Sequence, residues 1–115
     1  MSDERVLFKG RFADLIRSIL NITDPNNGTY MLYTPANITT LQADMRCAVI
    51  LMFYEDEDDF MPPFALAHNL SAASDIRTIK NIYAVAKLDR PELTTQEFTA
   101  AVNYYLSHDA FIKFD

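Results

Sequence analysis

Apolar residues recur along this chain in two rhythms, and each predicts elements. At the start, Leu7 or Phe8, Phe12, Leu15, Ile16, Ile19 and Leu20 return at helical spacing. Arg5, Lys9, Arg11 and Arg17 fall largely on the other side, so the pattern predicts an amphipathic opening helix. Ser2 or Asp3 would cap its start. Asp24-Pro25-Asn26-Asn27-Gly28 is a dense turn cluster that should end it.

A strand rhythm follows. Thr29-Tyr30-Met31-Leu32-Tyr33 is rich in residues that suit a pleated sheet, and Pro35 should end that strand or confine it to an edge. Ile38 to Ala43 reads equally as a short strand or a polar connection. Cys47 to Tyr54 is the clearest strand. Its two faces, Cys47, Val49, Leu51, Phe53 and Ala48, Ile50, Met52, Tyr54, are both apolar. It should therefore be central and covered on both sides, by this chain or by a second subunit.

The helical rhythm then returns. Phe64 to Leu70 predicts a short helical turn entered through Pro63 at its first position. Ser74 is the predicted N-cap of a helix that turns Ile76, Ile79, Ile82 or Tyr83, and Ala86 inward. Pro91 breaks the chain. Thr94-Thr95-Gln96-Glu97 is a capping box opening a helix with Phe98, Ala101, Val102, Tyr105 and Leu106 inward. The tail, Asp109 to Asp115, is apolar enough to dock on the core. The predicted fold is α+β: a small antiparallel sheet of two to four strands packed with three or four helices. No repeat or long linker interrupts residues 1–115, which read as a single globular domain.

Composition narrows the function classes. Half of the residues are hydrophobic, which argues against intrinsic disorder. Met1-Ser2-Asp3-Glu4-Arg5 lacks the order of a signal peptide, and no apolar run approaches the length of a membrane span. A single cysteine, Cys47, inside the apolar strand, predicts a small buried hydrophobe in a reducing cytoplasm. The four Asn-x-Ser/Thr triplets starting at Asn21, Asn27, Asn37 and Asn69 then read as turn and cap chemistry.

Charge changes the picture most. The chain carries 10 Lys+Arg, 16 Asp+Glu and a net charge of −6. Five of the acids are consecutive, Glu55-Asp56-Glu57-Asp58-Asp59, directly after the apolar strand. A calcium loop needs alternating ligands and a glycine at its turn, and this run has neither, so no metal is assigned. No basic stripe exists to neutralise phosphates, which excludes a nucleic-acid binder of the usual kind. A phosphate mimic would spread its carboxylates along the surface, whereas the rest of this chain is nearly neutral.

Protein recognition fits the run better. Glu55, Asp56, Glu57, Asp58 and Asp59, flanked by Tyr54, Phe60 and Met61, combine steering charge with apolar anchors. Solubility and protection of a strand edge are the plainer uses of the same acids.

Catalytic inventory is thin. Ser107-His108-Asp109 has triad chemistry, but consecutive side chains do not converge. They should end the last helix, with His108 near its carbonyl end. His68 reads as a partly buried packing residue, and Tyr104 as ordinary helix decoration beside an inward Tyr105. Gly10 and Gly28, the only glycines, leave no phosphate-cradling loop. No cofactor or catalytic residue is assigned.

The order of features resembles a known family. A strand around Cys47-Ala48-Val49 leads to the acidic loop and a proline turn. Then follow Ile76-Arg77-Thr78-Ile79-Lys80-Asn81 and an ending Asn103-Tyr104-Tyr105-Leu106-Ser107-His108-Asp109-Ala110-Phe111-Ile112. From residue 36 to 115 this is similar to a family of small acidic bacterial domains of unknown function with a Tyr-Tyr…Asp-Ala-Phe ending. In size and charge the chain also resembles immunity proteins of bacterial toxin systems, including contact-dependent inhibition. That resemblance implies a cytoplasmic, non-enzymatic inhibitor whose partner is a basic toxin domain. Two alternatives stand beside it: a structural homodimer, and a metal protein or enzyme using the acidic loop.

Overall fold

A computed structural model describes residues 5–114. Its four strands form one antiparallel sheet, β1 (Val6–Arg11), β2 (Gly28–Pro35), β3 (Arg46–Phe53) and β4 (Leu70–Asp75), in the order β1-β3-β2-β4. Four helices accompany it: α1 (Phe12–Leu15), α2 (Pro63–Ala67), α3 (Ile76–Asp89) and α4 (Thr95–His108). A single 3-10 turn, Ile19–Asn21, follows α1. The architecture is α+β, as the patterning predicts.

The apolar strand lies where its two faces require. β3 is central, pairing with β1 on one side and β2 on the other. Its Cys47 and Val49 join the larger core with Phe12, Leu15, Leu32, Ile76, Ile79, Phe98 and Val102. Ala48 and Ile50 join a second cluster on the opposite face, with Tyr33, Ala65 and Leu70. Pro35 ends β2, so the missing N–H interrupts no central ladder.

The opening helix is corrected to a strand followed by two short turns. Val6, Phe8 and Gly10 alternate with exposed Leu7, Lys9 and Arg11, and the segment pairs with β3. A β-branched residue, a phenylalanine and a glycine in six positions weaken a helix, while the exposed edge of β3 offers a ready ladder. The register shifts between Val6 and Phe8. Phe8 therefore packs on the larger core and Val6 on the second cluster. Helical spacing holds only from Phe12 onward, where Phe12, Leu15 and Ile19 are fully buried and Leu20 is exposed. Ser2 and Asp3, the predicted caps, lie outside the described residues.

Three further boundaries move. The turn predicted over Phe64 to Leu70 is α2, and it ends at Ala67 because the next residues enter β4. β4 reads Leu-Ser-Ala-Ala-Ser-Asp, with no β-branched or aromatic residue to announce it. Asp75, not Ser74, caps α3, its carboxylate accepting from Thr78 N at 2.9 Å. Ile38 to Ala43 is a connection, fastened by Asn103, which accepts from Leu41 N at 2.8 Å and donates to Leu41 O at 2.9 Å.

The capping box at α4 forms in both directions: Glu97 N donates to Thr94 Oγ1 at 3.1 Å, and Thr94 N donates to Glu97 Oε1 at 3.0 Å. Phe98, Ala101 and Val102 are buried as predicted, but Leu106 is exposed, one step past the packed stripe. Thr94→Ala removes one half of the box and should cost about 1 kcal/mol, read as a lower urea midpoint at unchanged slope. Past α4 the tail docks as predicted: Ile112 and Phe114 pack on the larger core.

Candidate functional site

The acidic run begins where β3 leaves the sheet. Tyr54 N still donates to Asn27 O at 2.9 Å, and the chain then turns back, Asp56 N donating to Phe53 O at 3.0 Å. A second turn closes with Phe60 N donating to Glu57 O at 2.9 Å. Pro62, buried, and Pro63 then start α2.

One cation organises this loop. Arg5 Nη1 donates to Asp56 Oδ2 at 2.7 Å and Nη2 to Asp56 Oδ1 at 3.1 Å, a two-pronged pair. Asp56 Oδ2 also accepts from Phe53 N at 2.8 Å. The guanidinium lies 4.7 Å from the Phe53 ring centroid and 4.5 Å from that of Phe60. A cation that pairs with a carboxylate through two nitrogens and also lies over aromatic rings is held both by charge and by ring contact. The Arg5 side-chain hydrogen bond holds the Asp56 carboxyl below its ordinary value, burial opposes this, and the Phe53 N–H adds to the lowering.

This divides the eight residues singled out by sequence. Asp56, with 13% of its side chain exposed, and Phe60 turn inward as structural members of the clamp. Glu55, Glu57, Asp58 and Asp59 face solvent, beside exposed Tyr54 and Met61. The outward charge is therefore smaller than the run suggests, because Arg5 cancels one of the five acids. Tyr54 is 66% exposed, and its hydroxyl accepts from Thr29 Oγ1 at 3.5 Å. Arg5 is the residue that sequence reasoning missed; it pairs across a separation of 51 positions, and no local pattern marks it.

The remaining chemistry-bearing residues are dispersed. Cys47 is buried, and that burial, helped by Asp14, pushes its thiol up to about 12. His68 is exposed rather than partly buried, because it follows the last turn of α2; its ring lies 4.2 Å from that of Phe64. His108 ends α4 with Nδ1 3.1 Å from Tyr104 O and its ring stacked on Tyr104 at 4.1 Å. Asp109 follows in the left-handed conformation, its N–H donating to Tyr105 O at 2.7 Å. Ser107, His108 and Asp109 thus form a helix end. Among the described residues no three His, Cys, Asp or Glu side chains gather as a metal site. No helix among them is long and apolar enough to cross a membrane.

A groove of about 550 Å³ opens at the far end of α2, where Phe64 and His68 face Pro35, Leu70 and the paired ends of β1 and β3. Lys9 and Arg46 stand on its rim.

Residues 13–114 match the family model described as a domain of unknown function, DUF7716. No curated protein and no solved structure matches the chain.

Proposed function

The chain belongs to the DUF7716 family of domains of unknown function, and on that premise we propose that it is a protein-binding module whose acidic loop meets a cationic partner surface. The observation that carries this reading is the Arg5 clamp. It withdraws Asp56 and Phe60 from solvent and, in doing so, holds Glu55, Glu57, Asp58 and Asp59 outward around Tyr54 and Met61. Acids that served solubility alone would need no such scaffold. A fixed loop loses less conformational entropy on binding than a floppy one. Fixed charge also steers a basic partner before contact, while an exposed aromatic supplies a centre to bury.

At its finest, the proposal is an immunity-type inhibitor that works in the cytoplasm by covering a basic toxin domain, without catalysis of its own. The test begins with the protein encoded by the neighbouring gene. Stopped-flow association would compare the wild-type chain with a variant carrying Glu55→Gln, Glu57→Gln, Asp58→Asn and Asp59→Asn. The variant should associate at least about tenfold more slowly at low salt and lose most of its salt dependence. An unchanged rate would remove the steering role. If co-expression failed to relieve toxicity of that partner, the immunity form would fall while a binding role could stand.

A further inference from the structure

The groove at the end of α2 has a charge character opposite to that of the whole protein. The chain carries −6, yet among the described residues no carboxylate lines this concavity. Its walls are Phe64, Pro35 and Leu70, Gly10 and Cys47 also line it, and its polar groups are Lys9, Arg46 and His68. Lys9 Nζ lies 5.6 Å from the Phe64 ring centroid. Arg11 stands opposite Arg46 in the β1–β3 register and inclines to Asp14 at 3.6 Å. Arg46 itself is exposed and has no acid within ion-pair distance among the described residues.

A volume of about 550 Å³ is that of a small-molecule site, and apolar walls with a few convergent polar groups are the usual build of one. We infer that this groove binds a small organic anion, an apolar body bearing a carboxylate or phosphate head, with Arg46 taking the head and Phe64, Pro35 and Leu70 holding the body. A guanidinium presents paired donors that match either head, and Arg46 has no ion pair with an acid among the described residues to compete for them. The chain as a whole carries −6, so the cationic groups gathered at this concavity favour an anion there over the surface at large. This site is separate from the acidic loop, and neither reading depends on the other.

Amide chemical shifts of the 15N-labelled chain, titrated with phenylacetate, phenyl phosphate and 2-phenylethanol, test the inference. Both anions should give saturating shifts at Gly10, Cys47, His68 and Leu70, and the tighter of the two names the head group. The neutral alcohol should bind at least about tenfold more weakly, the size of one charge-assisted contact. Arg46→Gln, a change at an exposed position, should weaken anion binding by about the same factor, while Arg17→Gln, exposed elsewhere, should leave it unchanged. Absent or non-saturating shifts, shifts centred outside the groove, equal binding of the alcohol, or wild-type affinity in Arg46→Gln would each overturn it.

Discussion

Phe98→Ala is expected to destabilise the fold by about 3–5 kcal/mol, the usual cost of a large aromatic truncated in a core that does not collapse around it. Phe98 is fully buried at the start of α4. Its ring lies parallel to Phe12 at 5.8 Å and meets the edge of Tyr83 at 5.4 Å. Phe12 begins α1 and Tyr83 sits in α3, so one side chain joins three helices over the sheet. Neither neighbour can relax into the vacated space without leaving its own partners, and each aromatic contact adds its own loss. For a chain of this length the melting temperature should fall by on the order of 15 °C or more. Leu88→Ser, at a position 82% exposed on α3, is the control and should stay within about 0.5 kcal/mol. A Phe98→Ala protein melting within a few degrees of wild type would mean that α4 does not pack as described.

The contrast between α4 and β1 shows what the sequence could reveal. The α4 start was legible because every signal is local: Thr94 and Glu97 are three apart, and Phe98, Ala101 and Val102 share one face. The β3 strand was legible for a similar reason, since eight apolar residues in a row have nowhere to go but the middle of a sheet. β1 and β4 are different. Val6–Arg11 has spacing that a helix could satisfy, and Leu70–Asp75 has almost no strand propensity. Both are strands because β3 and β2 offer open ladders, a tertiary effect that single-sequence patterning does not contain. The candidate site divides the same way. The acidic run is visible as composition, whereas which of its acids face outward depends on Arg5, 51 positions away. The groove is assembled from β1, β3, α2 and the junctions of β2 and β4, so no segment of sequence outlines it.

The Arg5 clamp makes the second large prediction. Asp56→Asn keeps the size of the side chain but removes the charge that meets the guanidinium and shortens its hydrogen bonds. The amide still offers one oxygen, so one Arg5 prong loses its acceptor in either orientation, and the Phe53 N–H loses its acceptor too if the amide nitrogen takes the place of Oδ2. Arg5 is left beside two aromatic rings without the carboxylate it pairs with among the described residues. Hydrogen bonds to charged groups contribute about 1.5–3 kcal/mol, and a cost of about 2–3 kcal/mol is expected here. The pH dependence separates this from a general packing defect. Asp56 has its carboxyl held below an ordinary value near 3.8, so its native form binds a proton less readily than its unfolded form. Its contribution is therefore fully present above about pH 4 and fades as pH falls through the lowered folded value. Urea titrations across pH should show a constant gap between wild type and Asp56→Asn at neutral pH that narrows below about pH 4. A gap that persisted unchanged into strong acid would show that the carboxylate charge is not what holds the loop. If the gap closes as expected, the same variant becomes the direct probe of the acidic loop. It keeps Glu55, Glu57, Asp58 and Asp59 but releases them from their scaffold, so any loss of partner binding would report the value of holding those charges in place.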